Sequence, residues 1–73
     1  MDNFGSEFAQ LNEGYKTIRN LHLMYCPKLR MGQLLDMFES WCEEEGYDYY
    51  YANDAKFIKL WKEFFEVNYI YQD

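Results

Sequence analysis

Apolar residues recur along residues 4 to 25 with a helical period. Phe4, Phe8, Leu11, Tyr15, Ile18 and Tyr25 follow at spacings of three, four and seven, which gathers them along one side of a helix. Asn3 or Ser6 can start it, because either side chain accepts from a free backbone N–H of the first turn. Gly14 interrupts the pattern near the edge of the stripe. A glycine inside a helix costs about 1 kcal/mol against alanine, so it marks a close helix contact or a break into two shorter helices. One helix, residues 4 to 25, is the expectation. It must end near Cys26-Pro27, because proline lacks the ladder donor and pushes the preceding residue out of helical space.

After the linker PKLR, residues 31 to 45 predict a second helix. Met31, Leu34, Leu35, Phe38, Trp41 and Cys42 occupy an arc of about 140°, which Met37 widens to about 160°. Gln33, Asp36, Glu39, Ser40 and Glu43 take the other side. Gly46 stands where a left-handed residue closes a helix. Glu43, Glu44 and Glu45 just before it oppose the helix dipole, whose C-terminal end favours positive charge.

Residues 54 to 67 carry the cleanest helical face, opened by Asn53 or Asp54 as cap. Phe57, Ile58, Leu60, Trp61, Phe64, Phe65 and Val67 span about 180°, with Lys56, Lys59, Lys62, Glu63 and Glu66 opposite. Lys59 with Glu63, and Lys62 with Glu66, are four apart and of opposite charge. So wide a stripe either packs on both other helices or meets a second chain. In the second case Phe57, Trp61, Phe64 and Phe65 would form the face of a homodimer.

Between the second and third helices runs YDYYYA, residues 47 to 52. It is too short for a helix, and tyrosine favours extended backbone. An extended course would place Tyr47, Tyr49 and Tyr51 on one face and Asp48 and Tyr50 on the other. Residues 68 to 72, NYIYQ, either pair with it or continue the last helix. The expected fold is therefore all-α: a compact three-helix bundle in a single domain, residues 1 to 73, with a short extended tyrosine-rich connector. At this length a radius of gyration near about 11 Å is expected, and only about 60% of the unfolded surface is buried. A composition 22% aromatic offsets the small size with large rigid side chains.

Charge sharpens the picture. The net charge is −6. Residues 43 to 54 hold Glu43, Glu44, Glu45, Asp48 and Asp54 and no base, whereas the segments on either side are close to neutral. Nucleic-acid binding needs clustered Lys and Arg to displace counterions, so an acidic chain disfavours it. MDNFGSEF has no basic region followed by an apolar run, and no stretch approaches 18 consecutive apolar residues. An export leader and a membrane span are thus not expected. Cys26 and Cys42 are then expected to be reduced thiols in a cytoplasmic protein.

At RMGQLL, residues 30 to 35, the chain resembles small uncharacterised helical proteins of Gram-positive bacteria and their phages. In these an Arg-hydrophobic-Gly-Gln-Leu stretch opens a helix, and a short aromatic-acidic segment precedes a final one. YYYAND before KFIKLW, residues 49 to 61, matches the second part in outline. The resemblance covers about half the chain, and Met31 departs from the more usual leucine. It implies a small accessory protein of a phage or mobile element and assigns no chemistry.

No residues assemble into a convincing catalytic or cofactor site. His22 and Cys26 are four apart, with Cys42 a third candidate ligand, but a structural zinc site wants four ligands in paired spacings. His22 lies on the apolar stripe, where a backbone carbonyl or tyrosine hydroxyl is its more economical partner. Nucleophilic catalysis also needs a base, an orienting group and an oxyanion site. Phosphate-cradling glycine motifs are absent. No enzyme, cofactor or metal is expected. The expected function is protein interaction: an adaptor or inhibitor using Glu43, Glu44, Glu45, Asp48, Tyr50 and Asp54 against a basic surface, such as one that otherwise binds nucleic acid. The alternatives are a helix-turn-helix DNA-binding regulator reading with Lys56, Lys59 and Lys62, and a self-associating structural protein.

Overall fold

In the computed structural model, α1 (Asp2–Tyr25), α2 (Met31–Glu45) and α3 (Asp54–Phe65) follow one another, and α3 runs on into a π-helical segment, Glu66–Ile70. The structure describes residues 2 to 71, with side chains from Phe8 onward. The second helix has the bounds its pattern predicts. The first begins two residues earlier than expected, so Asn3 and Ser6 lie inside it rather than capping it. Phe4 of the expected stripe lies outside the described side chains.

Each boundary has a local cause. α1 stops before Pro27, and the Leu29 N–H then donates to Cys26 O (3.1 Å) across the turn. The Nε2 of His22 is bonded to Leu29 O at 2.6 Å, which ties the end of α1 to the linker. α2 opens with Gln33 reaching back, its Oε1 accepting from the Arg30 N–H (3.3 Å). This is the reciprocal half of a capping box. α2 closes at Gly46 with φ 79° and ψ 22°. The Tyr47 N–H donates to Cys42 O (2.8 Å) and the Gly46 N–H to Glu43 O (3.3 Å), the paired bonds of a Schellman motif. α3 is capped by Asn53, whose Oδ1 accepts from the Lys56 N–H at 2.9 Å.

The core consists of Leu34, Phe38 and Cys42 from α2 with Leu60, Trp61, Phe64 and Phe65 from α3. Ile18 and Leu21 of α1, Leu29, Trp41, Tyr49, Phe57 and Tyr69 pack around it. Phe38 is fully buried. Its ring meets Trp61, Phe57, Phe64, Tyr49 and Trp41, so one side chain joins α2, α3 and the connector. α3 packs against both α1 and α2. Gly14 lies against Ile58 and Tyr25 against Phe65, so α1 and α3 run in the same direction.

The chain is an all-α three-helix bundle, with no β-strand among the described residues. Its radius of gyration is 13.1 Å and its long axis 46 Å. Both exceed a sphere-like fold of this length because α1, at 24 residues, is about 36 Å long. With Gly14 opposite Ile58, the first turns of α1 extend past the start of α3.

The α1 stripe read from the sequence is only partly the buried one. Ile18 packs on the core, but Phe8, Leu11, Tyr15 and Tyr25 remain exposed to varying degrees. The inward edge is centred instead on Gly14, Ile18 and Leu21. A Cβ on Gly14 would stand 3.2 Å from two carbons of Ile58. The missing side chain is what draws α3 to that edge and leaves the larger residues flanking it.

The end of α3 also departs from expectation. In an α-helical register Asn68, seven residues beyond Trp61, would continue the core stripe. The wider π turn brings Tyr69 onto Phe65 at 5.1 Å and Phe64 at 6.1 Å, while the Asn68 amide donates to Phe64 O at 2.8 Å. Residues 68 to 70 are thus helical and not a strand. The remainder of NYIYQ, at Gln72, lies outside the described residues.

Candidate functional site

The connector is an irregular turn rather than an extended strand. The Tyr51 N–H donates to Asp48 Oδ1 at 3.1 Å, which folds residues 48 to 51 back on themselves. Asp48, expected to face a partner, therefore has a local structural role, although it remains exposed. Tyr49 turns inward and meets the Phe38 ring edge-on at 6.1 Å, and Tyr47 leans on Trp41 at 5.3 Å. Tyr50 and Tyr51 face outward, 78% and 83% exposed, and contact each other edge-to-face at 4.9 Å. The expected alternation holds for Tyr47, Tyr49 and Tyr50. It fails at Tyr51 because the Asp48 turn breaks the two-residue period.

Glu43, Glu44 and Glu45 are all exposed on the last turn of α2. No basic residue occupies that turn. Of the three, Glu43 also acts inward: after burial, the charges of Glu39 and Glu43 push the Tyr49 hydroxyl above its ordinary pKa. The same causes, in the same order, push the Cys42 thiol up to about 11. Asp54, the first residue of α3, is exposed on the far side of the connector.

Beside the connector an open groove of about 250 Å³ runs between α1 and the start of α3. Its walls include Tyr15, Tyr49, Tyr50 and Phe57, with Ile58 and Asp54. Two of these rings are fixed from beneath, since Tyr49 and Phe57 both stand edge-on to the buried Phe38. Reading the connector alone finds Tyr50 and Asp54. It misses Tyr15, Tyr49 and Phe57 as companions, because only the fold carries α1 alongside them. The one sequence signal is the spacing of Phe8, Leu11 and Tyr15 along one side of the first helix.

The expected self-association face is corrected. Trp61, Phe64 and Phe65 are buried in the chain's own core, and Phe57 is half-buried between Phe38 and the groove. The wide stripe of α3 is used by α1 and α2, so a second copy cannot reach its centre. The lysine face is present: Lys56, Lys59 and Lys62 are exposed on α3. Lys56 and Lys59 border a second open groove together with Tyr47 and Glu63. However, α2 and α3 are joined by eight residues, 46 to 53, where a helix-turn-helix uses about 3–4.

His22 is engaged by Leu29 O, the first of the two partners expected for it, a backbone carbonyl or a tyrosine hydroxyl. Cys26 is half-buried: burial raises its thiol pKa, and a hydrogen bond from the Tyr69 hydroxyl partly offsets this. Among the described residues no group of three or more His, Cys, Asp or Glu side chains is arranged to hold a metal ion. Nor is any helix among them long and apolar enough to cross a membrane. No family model matches the chain, and neither a curated protein nor a solved structure matches it.

Proposed function

We propose that this chain is a small cytoplasmic protein-interaction module, an adaptor or inhibitor, that binds a basic surface of another protein through its acidic, tyrosine-rich end. One observation carries the reading. Tyr50 and Tyr51 form an edge-to-face pair that is largely exposed, and only four residues, 46 to 49, separate them from three exposed glutamates, Glu43, Glu44 and Glu45. Tyrosine supplies interface contact area at little entropic cost and is enriched among the residues that dominate binding energy. Neither tyrosine contributes to the core. The glutamates oppose the α2 dipole, so local stability does not account for them either. Charge of one sign steers a partner of the other and fixes its orientation. A partner surface that ordinarily contacts nucleic acid has the complementary charge, and the protein would then compete for it. As an accessory protein of a phage or mobile element it would act on a host protein.

The test is affinity capture from a bacterial lysate at matched salt. Wild type is compared with the triple exchange Glu43→Gln, Glu44→Gln, Glu45→Gln and with the double exchange Tyr50→Ala, Tyr51→Ala. A basic protein retained by wild type and lost by both variants supports the reading. Retention by both variants refutes it.

A further inference from the structure

The groove beside the connector has a definite chemical character. Among the described residues, Tyr15, Tyr49, Tyr50 and Phe57 line it together with one acidic residue, Asp54. None of the described lining residues is a lysine, arginine or histidine. Aromatic faces carry negative quadrupole potential and attract cations. Five acidic residues and no basic one lie in residues 43 to 54, which supply the connector walls and Asp54. At about 250 Å³ the groove is smaller than the roughly 300–1,000 Å³ of sites that enclose a drug-sized ligand. That size suits one long side chain.

We propose that this groove receives an arginine side chain from the basic protein partner, its guanidinium stacked against the tyrosine and phenylalanine rings and its N–H groups directed to the Asp54 carboxylate. This deepens the binding reading above and rests on it. Arginine fits better than lysine for a physical reason. Its planar, weakly hydrated guanidinium stacks on aromatic faces and presents a fork of donors to a carboxylate, whereas an ammonium is a compact and strongly hydrated point charge. The walls are partly set before binding. Tyr49 and Phe57 rest on Phe38, leaving Tyr50 and Tyr15, both largely exposed, to close over the guest. Ordering two side chains instead of four lowers the entropic cost of capture.

The experiment is a titration of the ¹⁵N-labelled full chain with acetyl-Gly-Arg-Gly-amide, followed by amide chemical shifts. The citrulline peptide, equal in shape and uncharged, and the lysine peptide are run in parallel. Saturable shifts at Tyr15, Tyr49, Tyr50 and Phe57 are expected with arginine. Citrulline should bind at least about fivefold more weakly, and lysine more weakly than arginine. Tyr50→Ala and Asp54→Asn each remove one exposed group, and each should weaken arginine binding about two- to fivefold, the equivalent of one exposed cation–π contact. A dispersed spectrum in each variant confirms that the fold persists.

Equal binding of arginine and citrulline overturns the proposal. So does equal binding of lysine, or an affinity unchanged in both variants. Shifts of the same amides on raising protein concentration alone, with a doubled mass in sedimentation, would assign the groove to a second copy instead. The two readings fail separately. If capture is lost in the glutamate variant while the arginine peptide leaves the groove unmoved, the interaction reading stands and this one falls. If the groove binds arginine but capture survives every surface exchange, the groove stands and the acidic end is not the partner site.

Discussion

The ring of Phe38 lies flat on the indole of Trp61, with centroids 3.9 Å apart and planes 6° from parallel. This stack joins α2 to α3 within the buried core. Phe38 has no exposed surface and Trp61 only 2%. Phe38→Ala should cost about 3–5 kcal/mol. A domain of this length has a total stability of about 4–11 kcal/mol, so the variant should lose much or all of its cooperative melt by near-UV circular dichroism.

Trp61 gives a sharper version of the same test. Its Nε1 is buried without a hydrogen-bond partner among the described residues. An unpaired buried donor costs about 1–3 kcal/mol. Trp61→Phe removes that donor while keeping a ring against Phe38, so it should destabilise far less than Trp61→Ala, which should lose about 3–5 kcal/mol. Urea denaturation of the two variants checks the ordering, and equal losses would show that the indole packing outweighs the orphan donor.

Two glycines of α2 and its cap should respond in opposite directions. Gly46 holds φ 79°, so Gly46→Ala forces a side chain into left-handed space and should cost about 1–2 kcal/mol. Gly32 lies in the first turn of α2 with nothing within 4 Å of an added Cβ. Gly32→Ala should add about 0.5–1 kcal/mol. In thermal melts the two should move in opposite senses, by about 4–8 °C per kcal/mol.

Alkaline pH should weaken the fold. In the folded chain the Cys42 thiol titrates at about 11 against an ordinary 9.0, because burial and then Glu39 and Glu43 oppose its thiolate. Cys26, Tyr49 and Tyr69 are raised as well, each chiefly by burial. The folded state therefore holds protons that the unfolded state has released. The stabilisation from Cys42 is complete below pH 9 and is lost as pH rises from 9 toward 11. Denaturation midpoints across pH 8 to 11 should fall in that window, and Cys42→Ala should flatten the part due to the thiol. At pH 8, iodoacetamide should label half-buried Cys26 before Cys42, which is buried and carries little thiolate.

His22 tests the tie between α1 and the linker. Its Nε2 is 2.6 Å from Leu29 O. His22→Ala should cost about 0.5–1.5 kcal/mol. The Leu29 N–H, bonded to Cys26 O in the same turn, should exchange faster with solvent in the variant. An unchanged exchange rate would show that the turn holds without the imidazole.

Much of the fold was legible because its causes are local. Pro27 ends α1, Gly46 ends α2 and Asn53 starts α3, each by backbone chemistry that needs no tertiary partner. The centres of the α2 and α3 faces were legible because their apolar residues are gathered on one side, but Met31, Leu35 and Met37 of the α2 stripe and Val67 of the α3 stripe are exposed. The first helix was not legible: its period gathers Phe8, Leu11 and Tyr15 with Ile18, but the edge that packs inward runs through Gly14, Ile18 and Leu21. The contact of Gly14 with Ile58 made that choice.

The candidate site divides in the same way. The concentration of acid in residues 43 to 54 follows from the sequence by itself. Only the tertiary structure buried Trp61, Phe64 and Phe65 within one chain, turned Asp48 back onto Tyr51, and brought Tyr15 beside Tyr49 and Phe57. Charge and helix ends are properties of neighbouring residues, which the sequence records directly. A groove is made of residues about forty positions apart, and their meeting depends on how helices pack.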